Sequence, residues 1–143
     1  MEKLIRKHEN FSKALKTLSN SLECVPLSYE EESSKILRDS RIKRFEYYID
    51  SFWKLSKRYL LICKDVDLNV PKEIIKQLFK AKVATEEETE LLLHMITMRN
   101  KTSHMYKEEI ADQLAIELED YYNILKIVSD KLKKNIVKNS LIL

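Results

Sequence analysis

There is no glycine anywhere in the 143 residues. The phosphate-cradling P-loop and the dinucleotide fingerprint both need glycine where the backbone approaches phosphate, so both are excluded. Tight two-residue hairpins, which want Asn-Gly or glycine at positive φ, are disfavoured on the same ground. Proline occurs only at Pro26 and Pro71, which leaves long uninterrupted stretches for helix. Cysteine is nearly as scarce. Cys24 and Cys63 stand far apart, with no CxxC pair and no histidine cluster beside them. That argues against zinc or a disulfide framework and fits a reducing cytoplasm. No apolar run approaches the ~20 residues that span a bilayer, so no membrane contact is expected. The charged opening, residues 1–7, lacks the apolar core of a secretion signal.

What is present is ordinary for a globular protein and slightly rich in charge: 44% hydrophobic and 34% charged residues, with a net charge of +3. That balance permits RNA binding without the strongly basic footprint of a dedicated nucleic-acid binder. The length suits one domain, read here as a single helical unit over residues 1–143.

Helical periodicity organises the chain. Leu4, His8, Phe11, Leu15, Leu18 and Leu22 step by three and four, which predicts a helix over residues 2–24. Pro26 blocks its continuation, and residues 28–34 read as a polar connection. The longest predicted helix covers residues 34–62. Its seam of Ile42, Phe45, Ile49, Phe52, Ser56 and Tyr59 is widened by Tyr48, Trp53, Leu55 and Leu60. An aromatic stripe at helical spacing is core. Residues 65–70 form a loop, and Pro71 suits the first turn of a short helix over 72–81 with Ile74, Ile75, Leu78 and Phe79 inward. Thr85-Glu86-Glu87-Glu88 is a capping box, with three glutamates favouring the helix dipole. A fourth helix follows through Leu91, Leu92, Met95, Met98 and Arg99. A polar stretch, 100–107, separates it from a last helix that starts at Glu108 and carries Ile110, Ala111, Leu114, Leu118, Tyr121, Leu125, Val128 and Leu132. The basic terminus is expected to fray. The expected fold is an all-α, antiparallel up-down bundle of about five helices.

One polar stretch concentrates candidate chemistry: Arg99-Asn100-Lys101-Thr102-Ser103-His104-Met105-Tyr106. On one continuous helix, five residues separate Arg99 and His104 by roughly 140° around the axis, at ~100° per residue. The two converge only if the chain bends between them or if a second subunit supplies one of them. Taken alone, an arginine and a histidine so spaced are more often a solvated helix end than a site.

Arg-x4-His-x-Tyr, carried here by Arg99, His104 and Tyr106, resembles the signature of HEPN-domain toxins. Its wording resembles the branch known as nucleotidyltransferase substrate-binding proteins, encoded beside a minimal nucleotidyltransferase. The segment Arg44-Phe45-Glu46-Tyr47-Tyr48-Ile49-Asp50-Ser51-Phe52-Trp53-Lys54-Leu55 is similar to a second stretch of that family. The resemblance covers nearly the whole chain. It implies a four-helix core plus a short helix, paired as a homodimer with Arg99 and His104 of both subunits meeting in a cleft. It also implies metal-independent endoribonuclease activity without a cofactor. A histidine near neutral pKa can move the ribose 2′-hydroxyl proton or protonate the leaving oxygen. Arg99 would bind the phosphate, and Asn100 would hydrogen-bond it or orient the imidazole. Tyr106 is the residue to which the partner nucleotidyltransferase would attach AMP, silencing the toxin; packing against the last helix is the plainer role. Glu46 either orients Arg99 or His104 or forms a structural salt bridge. The alternative function is a non-catalytic nucleotide- or substrate-binding subunit of a two-protein nucleotidyltransferase.

The remaining signals are weaker. Asp65-Val66-Asp67 resembles nucleotidyltransferase carboxylates but lacks the Gly-Ser element that precedes them, and is read as a loop. His8 belongs to the core edge, His94 is structural or exposed, and lysines 126–138 are a solvated face that can add RNA affinity.

Overall fold

The computed structural model describes residues 1–23, 31–104 and 108–142. Five helices account for nearly all of them: α1 (Glu2–Glu23), α2 (Glu31–Lys64), α3 (Pro71–Lys80), α4 (Glu86–His104) and α5 (Glu108–Ile142). No strand occurs among the described residues.

Side-chain pairings give the directions. Phe11 meets Phe52 and Thr17 meets Tyr48, so α1 and α2 are antiparallel. Glu88 meets Lys131 and His94 meets Glu117, so α4 and α5 are antiparallel. Arg38 pairs with Asp112 and Phe45 with Tyr121, so α2 and α5 run the same way. In an up-down bundle two such helices are a diagonal pair. Here they pack closely, and α1 and α4 lie on opposite sides of them without approaching one another. α3 bridges α2 and α4.

α2 is therefore covered by all four other helices, which explains its wide aromatic seam. Phe45, Ile49, Phe52 and Tyr59 are completely buried, each contributing roughly 1.5–3 kcal/mol of apolar burial. The Tyr59 hydroxyl finds no hydrogen-bond partner among the described residues, and burial pushes its pKa up to about 12. His8, on the α1 seam, is buried and places Nε2 2.7 Å from the Ser129 carbonyl of α5. Burial lowers its pKa and the Ser129 bond only partly opposes that.

The capping box forms as expected: the Thr85 N–H donates to Glu88 Oε1 at 2.9 Å and the Glu88 N–H donates to Thr85 Oγ1 at 3.2 Å. With no glycine to end α3, Lys82 takes the left-handed position at φ 62°. Its N–H returns to the Phe79 carbonyl at 3.0 Å and that of Val83 to Leu78 at 2.9 Å, a Schellman closure with Val83 buried. Asp65, at φ 56°, does the same service after α2.

The structure corrects four expectations. α2 begins three residues earlier and ends two later than expected. Phe79 does not face inward; it is 46% exposed, because α3 meets only α2 and α4. The polar stretch 100–107 is not a break from its start, since α4 continues through His104. The basic terminus does not fray, because Ile136 is buried and the Asn135 and Asn139 amides donate to carbonyls one turn back, at 2.9 and 2.7 Å.

Candidate functional site

α4 buries Leu92, Met95, Ile96 and Met98, and its last described turns follow the same register, with Thr102 nearly buried. The Thr102 hydroxyl donates back to the Arg99 carbonyl at 2.8 Å, so its polar group is satisfied within its own helix. The backbone stays helical through residue 104. Arg99 and His104 therefore sit on one helix, with backbone positions roughly 140° apart around it.

The Arg99 side chain turns toward α2. Its Nη2 lies 3.1 Å from Asp50 Oδ2, and its Nε 3.3 and 3.4 Å from the two Asp50 oxygens. Its Nη1 lies 3.5 Å from Glu46 Oε2. Glu46 and Asp50 are one turn apart and present both carboxylates to α4. The guanidinium plane is thus fixed by Asp50 along one edge and Glu46 at one end. It stays 24% exposed, at the rim between α2 and α4. One cation faces two carboxylates, so the cluster carries a net local charge of −1.

Of the residues singled out from sequence, Arg99 and Glu46 are brought together. Asn100 is exposed and shares none of these bonds. His104 closes α4, its side chain lying outside the described part, and Tyr106 lies outside the described residues altogether. Asp50 was missed, although its spacing from Glu46 puts both acids on one helical face.

Further along α4, a cavity of about 290 Å³ opens between α4 and α5, lined by Leu91, His94, Glu117, Tyr121 and Ile124 among others. Glu117 accepts from the Tyr121 hydroxyl, and His94 Nε2 lies 3.3 Å away from it. Burial works to raise the Glu117 pKa, but the Tyr121 and His94 contacts outweigh it and hold the carboxyl below its ordinary value. The Tyr121 phenol is pushed up, by burial first and then by Glu117. His94 is thus exposed and paired. No three His, Cys, Asp or Glu side chains cluster to hold a metal ion among the described residues. No helix, over the same residues, is long and apolar enough to cross a membrane.

Comparison with known proteins gives the family and a similar structure. A family model described as nucleotidyltransferase substrate binding protein like matches residues 6–134. The chain is also similar to a crystal structure of a protein from Thermus thermophilus. That likeness has 30% sequence identity and a TM-score of 0.74, and covers 85% of this chain and 98% of the other. No curated protein matches.

Proposed function

The chain belongs to the nucleotidyltransferase substrate-binding protein-like family, and from that premise we propose that it is a HEPN-type toxin. In this reading it is a metal-independent endoribonuclease, works as a homodimer, and is neutralised by a cognate minimal nucleotidyltransferase that attaches AMP to Tyr106. The observation that carries the reading is the clamped guanidinium: Arg99 is held in one orientation by Asp50 and Glu46 and remains partly exposed. A preset cation of fixed plane is what a transferring phosphoryl group needs, because no reorganisation is left to do when charge develops.

The chemistry needs one base and one acid. One imidazole takes the ribose 2′-hydroxyl proton as the 2′-oxygen bonds to phosphorus. The 5′-oxygen bond then breaks, and a second imidazole protonates that leaving oxygen. Arg99 offsets charge on the equatorial oxygens. Within one protomer the roughly 140° between positions 99 and 104 keeps them on different faces. The active cleft therefore lies between two copies, where Arg99 and His104 of both meet and each copy supplies one imidazole, with Asn100 beside them. AMP on Tyr106, formed when the phenol oxygen displaces pyrophosphate from ATP, would bring a phosphate to the same mouth and exclude RNA.

A second reading has its own support. The cluster's excess carboxylate opposes a polyanion, and that favours a non-catalytic substrate-binding subunit for the nucleotidyltransferase. One experiment separates the two. Purified chain, with Tyr106 verified unmodified by mass spectrometry, is incubated with RNA in chelator beside His104→Ala and Arg99→Ala, and its oligomeric state is measured. Cleavage by the parent, lost in both variants, supports the toxin. Equal cleavage by all three, or none by the parent, rejects it.

A further inference from the structure

A second groove lies on the other flank of α2, between it and α1. It encloses about 240 Å³ and is lined by Lys7, Asn10, Phe11, Ala14, Tyr47, Ser51, Lys54 and Leu55. Phe11 and Leu55 are almost fully buried and make an apolar floor. Lys7 on the α1 wall and Lys54 on the α2 wall are exposed, and neither meets a carboxylate among the described residues. The lining contains no acid, because the two acids of this stretch of α2, Glu46 and Asp50, are turned to Arg99. Lys54 lies over the Trp53 ring, Nζ 5.7 Å from its centroid, a weak cation–π contact that brings no opposite charge to the ammonium. Tyr47 is 62% exposed although it is a large aromatic, and its ring stands edge-on to Tyr48 at 5.4 Å between centroids.

We propose that this groove binds a nucleotide, with phosphate between Lys7 and Lys54 and the base against Tyr47. Two ammonium groups on opposite walls suit an anion that accepts from both sides, and Asn10 and Ser51 add neutral hydrogen-bonding groups. The volume falls below the roughly 300–1,000 Å³ of pockets that enclose a drug-sized ligand. It therefore takes the phosphate and sugar and leaves the base outside, where an exposed tyrosine offers a stacking face. The nucleotide can be free or part of an RNA strand. Only the strand-borne source rests on the ribonuclease reading, and no atom of the groove is shared with Arg99.

The full chain is titrated by fluorescence anisotropy with a labelled 2′-O-methyl pentanucleotide, which resists cleavage, and by calorimetry with AMP. The same titrations follow for Lys7→Gln/Lys54→Gln and for Tyr47→Ala, each first checked for an unchanged melting curve. We expect the double variant to weaken binding at least tenfold and Tyr47→Ala about fivefold. For the pentanucleotide, the slope of log affinity against log salt should become shallower by about 0.7 for each phosphate that the lysines cease to neutralise. Loss for both probes supports the site, loss for the pentanucleotide alone assigns it to a strand, and loss for AMP alone assigns it to a free nucleotide. If neither probe binds, or both bind the variants as they bind the parent, the proposal is overturned. It is equally overturned if only a poly-glutamate peptide shows the lysine dependence, which would make the groove a protein contact.

Discussion

The two ends of α4 use charge in opposite ways. At the N-terminal end, Glu88 closes the capping box and also takes Lys131 of α5, with Nζ 2.7 Å from Oε1 and 3.0 Å from Oε2. One carboxylate meets one ammonium, the carboxylate is 13% exposed, and its hydrogen bonds are local or to the next helix. Near the C-terminal end, one guanidinium, 24% exposed, meets two carboxylates that are 18% and 34% exposed. The first arrangement is balanced and joins two helices. The second is unbalanced and fixes an arginine's plane without neutralising its surroundings. The contrast teaches that a charge cluster is read from its balance and its open side as much as from its distances.

The largest effect should come from breaking the C-terminal cluster. Arg99→Ala is expected to lower RNA cleavage by about 100-fold or more, as removal of a preset charge donor does. Lys131→Ala should leave cleavage within about twofold, since it lies at the other end of α4. Matched single-turnover assays check both. If Lys131→Ala and Arg99→Ala lose cleavage equally, the two ends do not differ in function.

Next in size is the N-terminal end. Glu88→Ala removes a capping-box arm and the Lys131 partner together, and should cost about 1–2 kcal/mol, read as a lower urea midpoint. Asp50→Asn should lower cleavage more than it lowers stability, because it loosens Arg99 while keeping the side chain's shape. A urea midpoint that falls as far as that of Glu88→Ala, with cleavage unchanged, would place Asp50 among the structural pairs.

The pH dependence sharpens the same contrast with a smaller effect. Burial tends to raise the Glu88 pKa, but the bonds from Lys131 and Thr85 outweigh it, and the folded value lies below the ordinary 4.5. The unfolded chain then takes up this proton first as pH falls. The associated stability is complete above the ordinary value and is lost as pH falls through the folded one. Glu88→Gln should therefore flatten the fall in urea midpoint below about pH 4.5. His8, whose pKa burial lowers from 6.5, adds a separate loss as pH drops below that ordinary value, and His8→Gln should remove it.

The smallest change lies in the turn entering α4. Lys82→Gly should stabilise by a few tenths to about 1 kcal/mol, because glycine adopts positive φ without the Cβ penalty. A lower melting temperature would mean that the Lys82 side chain contributes more than its backbone strain removes.

Much of this was legible in the residues. The α1 seam as far as Leu15, the aromatic seam of α2 and the capping box at Thr85 all follow from spacing and are found where spacing puts them, while the Leu18 and Leu22 side chains lie outside the described part. Phe79 was misread because a four-residue apolar cluster on a short helix does not say which members reach a neighbour. The continuation of α4 to His104 was misread because Asn100, Thr102 and Ser103 have weak helix preference by themselves. Burial of Thr102 against the bundle overrides that preference. At the candidate site, Arg99 and Glu46 were legible as types, but the Asp50 clamp was not.

By itself the sequence determined that this protein is helical, where its helices lie to within a few residues, and which stripes are buried, because periodicity and capping are local physics. Only the tertiary structure decided that α2 and α5 form the close diagonal and that Asp50 and Glu46 seize Arg99. It alone decided that an acid-free groove opens on the far side of the same helix. Those facts depend on how helices distant in sequence are rotated against each other, and that rotation is set by the fit of whole packed faces rather than by any one segment.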